Sequence, residues 1–182
     1  RYDENDSLLS HHYGEVNWIS RINQAIAEDR LELHFQTIEP LAEGNDEFHL
    51  EILVRLRDET DRLIPPSAFI PAAERYNLMP EVDRWVVDRV IDLAATIRDG
   101  SLQNAVWTIN ISGRSLGDDE FLRYLVKKIS DSSVPADRLC FEITETAAIA
   151  NLRRATRFMK QLKGLGCRFA LDDFGSGLSS FA

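Results

Sequence analysis

Carboxylates and one amide recur at or near the ends of short apolar runs. Glu51 and Arg55 sit in Leu-Glu-Ile-Leu-Val-Arg, Asn110 closes Val-Trp-Thr-Ile-Asn, Glu142 and Glu145 lie in Phe-Glu-Ile-Thr-Glu, and Asp172 and Asp173 close Phe-Ala-Leu-Asp-Asp. Gathered in one place, such acids repel one another unless a cation neutralises them. Hard divalent cations take carboxylate and amide oxygens as ligands, so Mg2+ or Mn2+ suits this set, and two adjacent aspartates can divide between two metals. Zinc suits it less, because neither cysteine nor any of His11, His12, His34 and His49 stands at ligand spacing or at these run ends. Any one of the acids taken singly can equally cap a helix or pair with arginine. Asp173-Phe174-Gly175-Ser176-Gly177 leaves the last run as a glycine-bearing loop, either an ordinary turn or a tight path beside the metals. The Asp-Phe-Gly triplet also occurs in protein kinases, but no glycine-rich phosphate loop, Val-Ala-Ile-Lys strand or His-Arg-Asp segment accompanies it here.

The elements that must carry these residues follow from periodicity. Val16, Ile19, Ile22 and Ile26 recur at helical spacing, which predicts a helix from about residue 15 to 29. Residues 31–41 and 48–57 alternate as strands around Glu43-Gly44-Asn45-Asp46, so an antiparallel hairpin is expected. In the second strand, period two puts Glu51, Leu53 and Arg55 on one face and Leu50, Ile52, Val54 and Leu56 on the other. Pro65, Pro66 and Ser67 open a helix to about Tyr76, and another runs from about 81 to 98. Strand 105–111, helix 118–130, strand 138–145, helix 151–163 and strand 167–173 then alternate. Strands separated by helices of this length pair in parallel, with helices outside, as in a (β/α) barrel or an open doubly wound sheet. In a barrel the all-apolar face of strand 48–57 turns out toward the helices, Glu51 and Arg55 turn inward, and the acids gather at the C-terminal mouth where barrel enzymes build active sites.

Composition narrows the partners. The chain has 182 residues, with 21 Lys and Arg against 30 Asp and Glu, a net charge of −9. That balance opposes a broad nucleic-acid or anionic-membrane footprint while leaving room for a small anion. The length suits one domain with room for the edge of another, and the polar residues 1–14 read as a linker. No window approaches a membrane span, and the first residues lack the pattern of a signal peptide. Cys140 and Cys167, far apart in sequence, read as reduced core thiols and suit the cytoplasm. Trp18, Trp85 and Trp107 fall in apolar patterns and are expected to pack in the core.

Together these motifs resemble the EAL domain, the phosphodiesterase domain that hydrolyses cyclic di-GMP, over about residues 15–182. Phe35-Gln36-Thr37-Ile38 resembles the family's YQPI, Glu51-Ile52-Leu53-Val54-Arg55 its EALxR, Asn110-Ile111-Ser112 its NLS, Phe141-Glu142-Ile143-Thr144-Glu145 its EITE, and Asp172-Asp173-Phe174-Gly175-Ser176-Gly177 its DDFGTG. The resemblance implies an α/β fold, a TIM-like barrel whose first strand runs antiparallel to the rest, here extending to about its fifth strand. It implies that Glu51, Asn110, Glu142 and Asp172 ligate a catalytic Mg2+ or Mn2+, that Asp173 ligates a second metal, and that Glu145 supports the loop after Asp173. It matches Gln36, Leu53 and Arg55 to contacts with cyclic di-GMP, Arg55 reaching a phosphate. The reaction implied is hydrolysis of one phosphodiester to give linear pGpG. Residues 1–14 resemble the segment that joins a GGDEF domain to an EAL domain, so an upstream GGDEF or sensor domain and a homodimer are expected. Thr37, Ile52 and Leu178 depart mildly from the family pattern. The family's later lysine, the glutamate of its VEG-type segment and a substrate-contacting glutamine would fall after Ala182, so these 182 residues alone are expected to be inactive. A receptor that binds cyclic di-GMP without cleaving it is the alternative function, and hydrolysis of another phosphoester a more distant one.

Overall fold

Alternation along one strand dictates the layering. In β2 (His49–Arg57), Leu50, Ile52 and Leu56 are buried. Leu50 and Ile52 share a core cluster with Val86, Val90 and Ile91 of α3 (Met79–Thr96). One face of the strand is thus closed by a helix, and Glu51, Leu53 and Arg55 occupy the other. The computed structural model describes residues 18–38, 48–97 and 101–173. Residues 1–14, the hairpin turn at 43–46 and the loop 174–177 with Leu178 lie outside the described residues.

Helical residues 18–27 form α1, followed by β1 (Leu31–Ile38) and β2. A two-residue strand β3 (Leu63–Ile64) precedes α2 (Pro66–Arg75) and α3. Then come β4 (Val106–Asn110), α4 (Gly113–Leu116), α5 (Asp119–Asp131), β5 (Leu139–Thr144), α6 (Glu145–Ala150), α7 (Leu152–Leu165) and β6 (Arg168–Asp172). The strands form one sheet in the order β1-β2-β4-β5-β6, with β3 paired to β2. The expected hairpin is present: β1 and β2 are antiparallel, from Leu31 opposite Leu56 to Ile38 opposite His49. The remaining neighbours on the main path, β2 to β4, β4 to β5 and β5 to β6, are parallel.

Local chemistry sets the helix boundaries. Pro66 at the first helical position pre-sets the backbone of α2. The Asp118 carboxylate caps α5 by accepting the N–H groups of Glu120 and Phe121. Gly166, at φ 103°, ends α7 in the left-handed conformation that glycine adopts without penalty. Between α5, α7 and the sheet, Phe121, Phe158 and Phe141 are fully buried, and Phe121 stacks on Phe158 with ring centroids 6.4 Å apart.

Three expectations change. Strand 138–145 ends at Thr144, because Thr144 Oγ1 accepts the N–H of Ala147 and starts α6. Glu145 is therefore the first residue of a helix and not part of a strand. Trp107 is in the core, but Trp18 and Trp85 are half-buried at its rim, where Arg21 lies over Trp18 and Trp85 Nε1 donates to Asp29 at 3.1 Å. The short α4 and α6 and the strand β3 are additions to the elements read from sequence. Both cysteines are buried free thiols, as expected, and burial, with the neighbouring Cys140, pushes the Cys167 thiol up to about 11.

Candidate active site

Register places the acids on one face. Glu51 on β2 is opposite Thr108 on β4, Asn110 on β4 is opposite Glu142 on β5, and Thr144 on β5 is opposite Asp172 on β6. Paired residues of a sheet point to the same side, and so do residues two apart along a strand. Glu51, Asn110, Glu142 and Asp172 consequently share the face away from the helices. They climb in steps, with Glu51 below the level of Asn110 and Glu142, and Asp172 above it. A diagonal of this kind is what the tilt and stagger of barrel strands bring to one height. Gln36 on β1 is directly opposite Glu51. Leu53 and Arg55 continue the same face of β2, and the half-buried Arg55 donates from Nη1 to the carbonyl of Val54 at 2.9 Å.

Electrostatics tie three strands together. Burial raises the pKa of the half-buried Glu142 carboxyl above the ordinary carboxylate range, and the negative charges of Asp172 and Glu51 raise it further. A proton or a cation relieves that repulsion. Among the described residues, no three His, Cys, Asp or Glu side chains stand close enough to hold a metal ion as placed. The donor chemistry nonetheless fits a hard divalent cation, with three carboxylates and one amide on a shared face and like charge to be neutralised. Asp173, next along, adopts φ 55°, a left-handed conformation that aspartate tolerates better than most residues. Its N–H donates to Asp172 Oδ1 at 2.8 Å, and the strand ends there.

A cavity of about 280 Å3 opens beside this face, between the strand ends and α2 and α3. Leu53, Arg55, Asn110 and Glu142 line one side, and Ile70 and Asp83 line the other. Asp83 is a residue the sequence reading overlooked. It is buried on α3, accepts the N–H of Ser112 at 3.0 Å, and is pushed up to about 6 by burial against the opposing hydrogen bonds of Ser115 and Ser112. Its signal was available: an acid on the buried stripe that Met79, Val82, Val86 and Val87 define. Glu145, expected beside Glu142 on a strand, is buried at the start of α6.

Residues 19–182 match the family model of the EAL domain. The chain belongs to the EAL domain family. This EAL domain is 39% identical over 180 residues to the cyclic di-GMP phosphodiesterase PdeB of Shewanella oneidensis, covering 99% of this chain and 21% of that protein. It is 32% identical over 168 residues to the cyclic di-GMP phosphodiesterase PdeF of Escherichia coli, covering 92% of this chain and 22% of that protein. The chain thus spans about a fifth of the length of these curated relatives. Among solved structures, the EAL domain of FimX from Pseudomonas aeruginosa bound to c-di-GMP superposes with a TM-score of 0.82 at 29% identity, covering 90% of this chain and 65% of that one. The fold is accordingly the α/β, TIM-like barrel fold of EAL domains, with β1 antiparallel to its neighbour. No helix among the described residues is long and apolar enough to cross a membrane.

Proposed function

We propose that this EAL domain catalyses metal-dependent hydrolysis of cyclic di-GMP to linear pGpG. The observation that carries the reading is the shared sheet face of Glu51, Asn110, Glu142 and Asp172, set by strand register, with the charges of Asp172 and Glu51 adding to burial in raising the Glu142 pKa. Relatives named as cyclic di-GMP phosphodiesterases support the substrate.

In this reading Glu51, Asn110, Glu142 and Asp172 would hold one Mg2+ or Mn2+, and Asp173 would hold a second. When bound, the metals would supply Lewis acidity toward the phosphate and activate water for in-line attack. The chain's residues bind and orient. Arg55 donates to a phosphate oxygen with a charge-assisted hydrogen bond, Gln36 and Leu53 contact the dinucleotide, and Glu145 holds the loop that follows Asp173. Attack at phosphorus breaks the bond to one ribose 3′ oxygen, which leaves with a proton as the hydroxyl of pGpG. An acidic domain accepts this anionic substrate because bound cations invert the local field. The domain acts in the cytoplasm, as part of a homodimer and downstream of a GGDEF or sensor domain.

The test uses the full-length protein that contains this domain. Cyclic di-GMP should disappear and pGpG appear only with Mg2+ or Mn2+, and a chelator should stop the reaction. Tight cyclic di-GMP binding with no pGpG under any metal would reject hydrolysis and make the domain a receptor.

A further inference from the structure

The turn after β4 is anchored from two directions. Ile111, next after Asn110, donates its N–H to the Glu142 carbonyl at 2.8 Å, which ties the turn to β5. Ser112 donates its N–H to Asp83 Oδ2 at 3.0 Å, which ties it to α3. Ser112 Oγ lies 3.3 Å from Ser115 Oγ and accepts the N–H of Ser115 at 3.2 Å to cap α4. Ser115 is fully buried and Asp83 is only 4% exposed.

A carboxylate in this place is costly. Neighbouring positions on the same stripe of α3 are Met79, Val82, Val86 and Val87, and an apolar side chain would bury there without the desolvation penalty of an acid. What an acid adds is an acceptor that reaches a backbone N–H two residues beyond Asn110. The Asn110 side chain is presented from a strand end, where the ladder alone fixes only one flank of the chain.

We propose that Asp83 is a positioning residue for the metal site, holding Ser112 so that Asn110 presents its amide oxygen level with Glu142. The inference rests on the function proposed above. Asp83 does not ligate the metal. It acts as outer-sphere partners do, through the orientation of a ligand, and loss of such partners typically costs about 10- to 100-fold in metal affinity.

A cap for α4 and a positioning residue for Asn110 predict different measurements. Mn2+ alone is titrated into the full-length protein and followed by electron paramagnetic resonance, and kcat and KM for cyclic di-GMP are measured in parallel. Asp83→Ala should weaken Mn2+ binding about tenfold or more and lower kcat, with KM for cyclic di-GMP nearly unchanged. Asp83→Asn, which keeps an oxygen acceptor for Ser112, should restore Mn2+ binding to near the wild-type value. Unchanged Mn2+ binding in a folded Asp83→Ala protein overturns the positioning role, as does an Asp83→Asn protein that binds as weakly as Asp83→Ala. If the alanine variant does not fold, Asp83→Leu, which keeps the branching of the side chain without an acceptor, takes its place. Hydrogen exchange on the wild-type protein gives a check without substitution: the Ser112 amide must be protected, and exchange at the rate of an open amide overturns the anchor. Wild-type protein that takes up no Mn2+ would overturn the metal-dependent function as well, whereas wild-type binding with no effect of Asp83 removes only this inference.

Discussion

Glu142 is where the charge of three strands meets. Its raised pKa comes first from burial and then from Asp172 and Glu51, so removing a neighbour eases repulsion in the metal-free protein while removing a ligand from the loaded one. Glu51→Ala should therefore fold at least as well as the parent, and both it and Asn110→Ala should lose Mn2+ binding and turnover, by more than the roughly 100-fold that loss of an outer-sphere partner costs. Calorimetric titration with Mn2+ and a pGpG assay measure both, and unchanged turnover in either variant would remove that residue from the metal site. Arg55→Ala should separate from these. It deletes a donor and leaves the acids in place, so Mn2+ affinity should hold while cyclic di-GMP binds more weakly by about 1.5–3 kcal/mol, the worth of a hydrogen bond to a charged group. Asp83 offers a prediction about pH. Its folded-state pKa is raised from 3.8 to about 6, so the native state holds this proton more tightly than the unfolded chain. Its contribution to stability is full below about pH 4 and is lost as pH rises through 6. At one pKa unit per about 1.4 kcal/mol, the loss is on the order of 3 kcal/mol. Denaturant unfolding of Asp83→Asn should lack this slope and show higher stability at pH 7, and a slope identical to wild type would place the titration elsewhere.

At the scale of elements, the start of α6 separates two glutamates that sit three apart in sequence. Glu142 faces the site from β5, and Glu145 is buried as the first residue after the Thr144 cap. A helix turns Glu145 out of the strand's alternation, which suits a loop-supporting role better than ligation. Glu145→Ala should cut turnover while Mn2+ still binds, and should speed amide exchange from Asp173 onward. A crystal structure with Glu145 on the cation would reverse that assignment. Elements whose apolar pattern spans several turns or alternations were legible in the sequence: the β1–β2 hairpin, α3, α5, α7 and the parallel order of β4, β5 and β6. The short α4, α6 and β3 were not, because each spans fewer than two periods of its pattern, too few for a repeat to show. Their signals are single contacts, such as Thr144 Oγ1 accepting the N–H of Ala147, that periodicity does not weigh. The same holds for the site. Residue type and strand parity pointed to Glu51, Asn110, Glu142 and Asp172, whereas the apolar stripe around Asp83 marks it only as a buried acid, and its tie to the site shows in the distance from its carboxylate to Ser112.

For the whole molecule, the sheet edges are the informative part. Among the described residues, β1 and β6 end the strand order, and both carry exposed apolar side chains on the face that elsewhere packs against helices. Phe35 on β1, opposite the buried Ile52, is 59% exposed, and Leu171 on β6, opposite the buried Ile143, is 49% exposed. A groove of about 460 Å3 between β1 and α3, lined by Leu31, Leu33, Trp85 and Leu93, continues the same uncovered face. Helices reach both edge strands at Leu31 and Phe169 but leave Phe35 and Leu171 exposed. An edge strand with free backbone groups and an apolar flank pairs readily with another chain, and barrel closure is the arrangement that removes both edges at once. These two flanks should therefore drive self-association of a polypeptide of these residues at micromolar concentration. Sedimentation tests the claim, and a monodisperse monomer would mean that the open edges are tolerated. The converse experiment places Phe35→Lys and Leu171→Lys on that apolar flank of the intact protein. If another segment or chain covers the flank, they should each lower stability by the roughly 1–3 kcal/mol or more typical of burying a poorly paired polar group. Substitutions without effect would show instead that both flanks face water in the intact protein.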